Sequence, residues 1–310
     1  MTRLTSPGYN HQSPHEIAPH LEPFGTGTTA NWALYVASHW SCYVTVGYAE
    51  AGPDGLGYNS LLTVDSTGKI SHNYRKHALT FNDTLWASRG PGSHAGLLDS
   101  EYGRVGLALG WDINEAFQGD PWLFGTHCLK TSVQYALIPG AWPEPTFADK
   151  QDPQHPPLEP EGARLNYWIE RFSNVKEAKT RERLFVVLVN RTGSDCCVFF
   201  AGSSCVLSFL EGEVYMHGRL GKEEEGCLVV DCDAVSISHL PLLQEKKGSP
   251  ILLGCRGSMG KRERREMLTL VAATKVQGQR LHTGAVEETK PYGCYTGKQV
   301  DIRYGGAEGV

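Results

Sequence analysis

Between Thr28 and Trp40 the apolar residues Ala30, Ala33, Leu34 and Ala37 recur at close to a helical period, which predicts a helix with Thr28 or Thr29 as its N-cap. The pattern then shortens. Tyr43–Tyr48 and Leu61–Val64 read as strands, joined by a turn over Gly52–Gly57. Val105–Leu109 is a short apolar strand, Phe117–Ser132 has the makings of a helix, and Gln134–Ile138 reads as the next strand. Phe185–Val189, Cys205–Phe209, Val214–His217 and Cys227–Val230 supply further strands. Helices interleaved with strands predict an α/β fold with mixed or parallel pairing. Glu144–Glu161 is rich in proline and reads as a long loop. After Leu242 the periodicity fades, apart from a helix predicted over Arg262–Val276.

Composition narrows the class. A chain of 310 residues, 40% hydrophobic and 20% charged, suits a globular domain with a substantial core. No apolar run approaches the roughly 20 residues that span a bilayer, so no membrane association is expected. Met1–Gly25 is polar and lacks the apolar centre of a signal peptide. The nine cysteines are scattered, without a Cys-x-x-Cys, which fits reduced thiols in the cytoplasm, with the nucleus as an open alternative. A net charge of −5 selects no partner, and homo-oligomerisation stays an open option. The basic run Lys261-Arg262-Glu263-Arg264-Arg265 is interrupted by Glu263 and reads as a solvated helix surface, not as a nucleic-acid site. His11, His15 and His20 are separated by Pro14 and Pro19 and read as a surface loop. Gly254–Lys261 has Met259 at the second glycine position of a phosphate loop and is rejected as one. No metal or cofactor is expected.

The chemistry concentrates elsewhere. Gly103–Glu115 reads Gly-Arg-Val-Gly-Leu-Ala-Leu-Gly-Trp-Asp-Ile-Asn-Glu, a buried strand running into a tight polar turn. Further blocks follow a fixed order: Val46–Glu50, Tyr58–Asp65, Asn73–Leu79, Thr126–Leu129, Ala136–Trp142, Val189–Gly193 and Ala201–Ser204. Together they resemble the nitrilase superfamily of carbon–nitrogen hydrolases. The Thr-His-Cys-Leu block followed by Pro-Gly-Ala-Trp is most similar to its protein N-terminal amidase branch, whose members deamidate N-terminal Asn or Gln. The resemblance implies a four-layer αββα sandwich over residues 1–238; the excess of Lys and Arg and the fading periodicity mark 239–310 as a basic, partly disordered extension. The resemblance also implies that the family's first strand–helix–strand is lacking. The block Gly8-Tyr9-Asn10 matches the segment that follows the catalytic glutamate, and residues 1–7 contain no Asp or Glu.

The family reaction needs a thiolate nucleophile, a glutamate that shuttles its proton, and a lysine that stabilises the oxyanion with a backbone N–H. By resemblance Lys76 is the lysine, Trp111 supplies the backbone donor, and the nucleophile position is Gly110, where the cysteine is absent. Asp112, Asn114 and Trp142 are expected at the ligand site, the first two fixing the turn. Arg89 replaces a second family glutamate. Glu50 is a weak candidate for a substitute base, and Cys128 reads as a packed core thiol, not a relocated nucleophile. In subtilisin, loss of the nucleophile costs about 10⁶ in kcat. The ordinary cysteine mechanism is therefore not expected here. Three functions remain open: an ancestral amidase of N-terminal Asn/Gln, a pseudoenzyme that binds a peptide or assembles with partners, and a hydrolase of a small amide or nitrile.

Overall fold

The computed structural model describes residues 10–114, 120, 122–144, 162–195 and 198–232, together with the backbone of 269–273. The chain opens with α1 (Pro14–Ile17), β1 (Glu22–Pro23) and α2 (Thr28–Trp40). Then come β2 (Val44–Ala51), β3 (Gly57–Val64), β4 (Ile70–Arg75) and the short α3 (Phe81–Thr84). These strands form a sheet ordered β1-β2-β3-β4, antiparallel except for the β1–β2 pair.

The second half supplies β5 (Leu97–Ser100), β6 (Gly103–Leu107), α4 (Leu123–Lys130), β7 (Tyr135–Gly140), α5 (Gly162–Glu170), α6 (Ser173–Ala178) and β8 (Leu184–Asn190). A small hairpin, β9 (Ser194–Asp195) and β10 (Val198–Phe199), precedes β11 (Cys205–Leu210), β12 (Glu213–Arg219) and β13 (Cys227–Asp231). The second sheet is ordered β12-β11-β8-β7-β6-β5, and β6, β7 and β8 run parallel. Parallel neighbours need crossovers, and α4 and then α5–α6 provide them. The last described strand, β14 (Thr269–Ala273), pairs antiparallel with β13. Pairing with a strand decides this segment, where a helix over Arg262–Val276 was expected.

Strand alternation builds the layers. Val46, Tyr48, Leu62 and Val64 face outward onto Ala30, Ala33 and Ala37 of α2, whose small side chains let the helix lie close. Leu61 and Tyr74 face inward and meet Leu107, Leu109, Leu137, Val187 and Val206 of the second sheet. The far face of that sheet, with Ile138, Val186, Leu188 and Leu207, is covered by Phe124, Trp168 and Phe172 from the helical side. The result is the expected αββα sandwich. At about 25 cal/mol per Å² of apolar surface buried, these three interfaces dominate its stability.

Three local expectations change. The N-cap of α2 is Gly27, and the capping oxygens come from Glu22, which accepts from the Thr29 amide and hydroxyl, both at 2.7 Å. Helix α4 is Leu123–Lys130, and residues 117–119 and 121 of the helix expected over Phe117–Ser132 lie outside the described residues. His11 is buried, packed edge-on to Trp86 with ring centroids 6.5 Å apart, so it does not belong to a surface loop. Gly254–Lys261 and most of the predicted extension lie outside the described residues. Among the described residues no helix is long and apolar enough to cross a membrane.

One polar relay crosses the inner face of the second sheet. Arg183 donates to the Ser208 hydroxyl at 3.4 Å, and Ser208 meets His217 Nε2 at 2.8 Å. Burial, with the Arg183 charge second, pushes the His217 pKa down to about 4. An unfolded chain takes up that proton near pH 6.5. Stability is therefore expected to fall as pH drops from about 6.5 towards 4, by about 1–2 kcal/mol after solvent screening. Urea unfolding at pH 7 and pH 5 should show this loss, and His217→Gln should reduce it. An undiminished loss in the variant would exclude His217 as its source.

Candidate active site

The parallel strand β6 ends in a 3₁₀ turn, Gly110–Asn114. Gly110 has φ +49°, in the left-handed region where a side chain costs about 1–2 kcal/mol. Glycine accepts this sharp backbone without strain. The turn is held by Asp112, which is fully buried. Its carboxylate accepts from the Leu109 amide at 2.7 Å and the Tyr74 hydroxyl at 2.9 Å. It also accepts from the backbone of Ala78 at 2.7 Å and His77 at 3.2 Å. Burial raises the Asp112 pKa, against the opposing pull of the Lys76 charge and of these donors. A single side chain thus ties the turn at the end of β6 to the segment that follows β4.

Lys76 is the first residue of that segment and is fully buried. Its amide donates to Asn59 O and its carbonyl accepts from Gly90 N, both at 2.8 Å, so the backbone is pinned from two sides. Its Nζ forms an ion pair with Asp83. Asp83 sits at the third position of α3, where it and Thr80 make a reciprocal capping box. It also accepts from Asn59 Nδ2 at 2.9 Å. The sequence reading did not single out Asp83. Its signal was the Thr80-x-x-Asp83 spacing, a helix start placed immediately after the lysine segment.

The other expected residues divide between the turn and the core behind it. Trp111 follows Gly110 with its indole 47% exposed. Asn114 ends the turn, and its Oδ1 accepts from the Tyr167 hydroxyl of α5. The Tyr167 ring lies between two guanidinium groups, Arg164 at 5.2 Å and Arg171 at 5.3 Å from its centroid. Trp142 follows β7. Its amide donates to Asn190 Oδ1 at 2.8 Å, and its indole is buried against Trp168 with centroids 5.3 Å apart. Asp112 and Asn114 therefore act on the turn, and the Trp142 ring is part of the packing beneath it.

The substitute groups lie elsewhere. Glu50 is paired with Arg75 at 2.5 Å, with Ser60 at 2.6 Å and Asn73 at 3.0 Å also donating to it. Burial alone would raise its pKa, but these donors outweigh burial and the net shift is downward. Ser60 and Arg75 alternate with Asn59 and Lys76, so Glu50 is on the opposite face of the sheet from Lys76. Arg89 is exposed. Cys128 is buried in the core under α4, with its Sγ lying over Gly106 of β6, and burial pushes its thiol pKa up. A buried ammonium and a turn of backbone donors can polarise a carbonyl oxygen. Without a thiol at Gly110 they cannot form an acyl-enzyme.

The carbon–nitrogen hydrolase family model matches residues 4–115, which include both Lys76 and the Gly110 turn. The protein N-terminal amidase of Schizosaccharomyces pombe is 25% identical over 241 residues, covering 72% of this chain and 82% of that protein. Among solved structures, an N-terminal amidase superposes with a TM-score of 0.62 at 17% identity, over 73% of this chain and 86% of that one. An N-terminal amidase with an Asn-Glu peptide gives a TM-score of 0.60 at 17% identity, over 72% and 85% of the two chains. Over residues 4–115 the chain is similar to the carbon–nitrogen hydrolases, and over most of its length it is similar to the protein N-terminal amidases.

Proposed function

We propose that this chain binds the N-terminal residue of peptides that begin with Asn or Gln and does not hydrolyse the side-chain amide by the cysteine route. The observation that carries the reading is Gly110. The turn around it is complete, down to the four hydrogen bonds on Asp112, while the position that would hold the nucleophile has no side chain. In this reading Lys76 and the Trp111 amide are donors to the ligand's amide oxygen. Asp112 and Asn114 keep those donors in place, and Trp142 supports the wall from behind. Relationship to the N-terminal amidases supports the choice of ligand.

Incubating the protein with an Asn-initiated peptide tests the reading directly. Mass spectrometry is expected to show no conversion of the amide to the acid. Calorimetry or fluorescence anisotropy should register binding that a peptide with a blocked N-terminus lacks. Steady deamidation by the unmodified protein would overturn the non-catalytic half of the proposal. It would favour the amidase, or for small substrates the amide or nitrile hydrolase.

A second expectation concerns Gly110→Cys. The left-handed backbone should make this variant less stable by about 1–2 kcal/mol. It should still fold and bind peptide, because Asp112 holds the turn independently of residue 110. Thermal unfolding and peptide titration of the variant check both parts. A variant that loses the fold altogether would show that the turn depends on glycine for more than its backbone freedom.

A further inference from the structure

Asp83 has no part in the reading above, yet it is as deeply buried as Lys76, with neither side chain exposed. Its Oδ2 meets Lys76 Nζ and accepts from the Thr80 amide at 2.8 Å and the Thr80 hydroxyl at 2.7 Å. Its Oδ1 accepts from Asn59 at 2.9 Å. Asp83 is thus the counter-ion of the buried lysine, and its oxygens are already engaged by the Thr80 and Asn59 donors.

We propose that Asp83 is a positioning residue that determines specificity. By holding Lys76 and cancelling its charge, it makes the lysine a hydrogen-bond donor instead of a counter-ion. The site then accepts a neutral side-chain amide and rejects the corresponding carboxylate. A ligand carboxylate brought near Lys76 would meet a lysine whose charge Asp83 already balances, with the Asp83 carboxylate beside it. An amide carries no net charge and avoids that repulsion. Discrimination of this kind works by building repulsion against the competitor as much as attraction for the ligand. The inference rests on the reading that the site binds N-terminal Asn or Gln, and it adds that Asp and Glu at the same position are excluded through Asp83.

The test uses two peptides that differ only in the first residue, Asn or Asp, titrated against the full chain by fluorescence anisotropy. The wild type is expected to bind the Asn peptide at least about tenfold more tightly, a difference of about 1.4 kcal/mol. Asp83→Asn should reduce that ratio to near unity or invert it, whereas Asp83→Glu should keep it. A role confined to holding the fold would weaken both peptides alike and leave the ratio unchanged, which would overturn the inference. Equal binding of both peptides by the wild type would also overturn it. Should Asp83→Asn fail to fold, Lys76→Met combined with Asp83→Leu removes the pair without stranding a buried charge. That variant should also lower the ratio, and an unchanged ratio would again count against the inference. Binding of neither peptide by the wild type defeats the proposed function itself, and with it this extension.

Discussion

The structure is organised around one buried carboxylate. Asp112 lies in the turn after β6 of one sheet and accepts from Tyr74 of the other sheet and from His77 and Ala78 just beyond its strand β4. Two sheets packed through Leu, Val and Tyr side chains could settle in several relative positions, since apolar contact is non-directional. Hydrogen bonds to a buried charge are directional, and leaving any of them unmade is costly. Asp112 therefore fixes how the sheets are set against each other at the end that carries Lys76 and the Gly110 turn. Lys76, one residue before His77, takes its place from that bond.

The same arrangement explains why the turn is complete although residue 110 has no side chain. None of the four bonds on Asp112 involves the side chain of residue 110. Turn geometry and chemical reactivity are carried by different residues, so one can be absent while the other persists. Cys128 lies away from this turn. It belongs to the layer on the other side of β6, where its sulfur fills the space above Gly106.

Much of this was legible in the sequence, wherever a single physical signal dominated. Helix α2 announced itself through alanines at helical spacing, and the buried strands β8 and β11 through short apolar runs. Lys76 and the Gly110 turn followed from resemblance, and the structure places both around Asp112. Strand β4 escaped notice because Ile-Ser-His-Asn-Tyr-Arg has little apolar alternation to read. Helix α5 was hidden behind the proline-rich stretch that precedes it. Thr269–Ala273 carries apolar residues compatible with either period, and only its partner β13 decides between them. Asp83 was missed because a capping residue and a lysine's counter-ion look alike in sequence, and here one carboxylate is both.

Strand β4 ends at Arg75 and Lys76 follows it, two cations in succession that point to opposite faces of the sheet. Arg75 is held by Glu50 on one face, and Lys76 by Asp83 on the other. A slip of one residue in the pairing of β3 with β4 would exchange them, sending the guanidinium between the sheets and the ammonium out towards α2. Each carboxylate would then face the wrong partner at the wrong reach, and a planar fork does not replace a point charge. For a strand with so little apolar pattern, hydrophobicity alone specifies register weakly. The two ion pairs supply that specification, so Glu50, on the face turned away from Lys76, still bears on which cation reaches the interior.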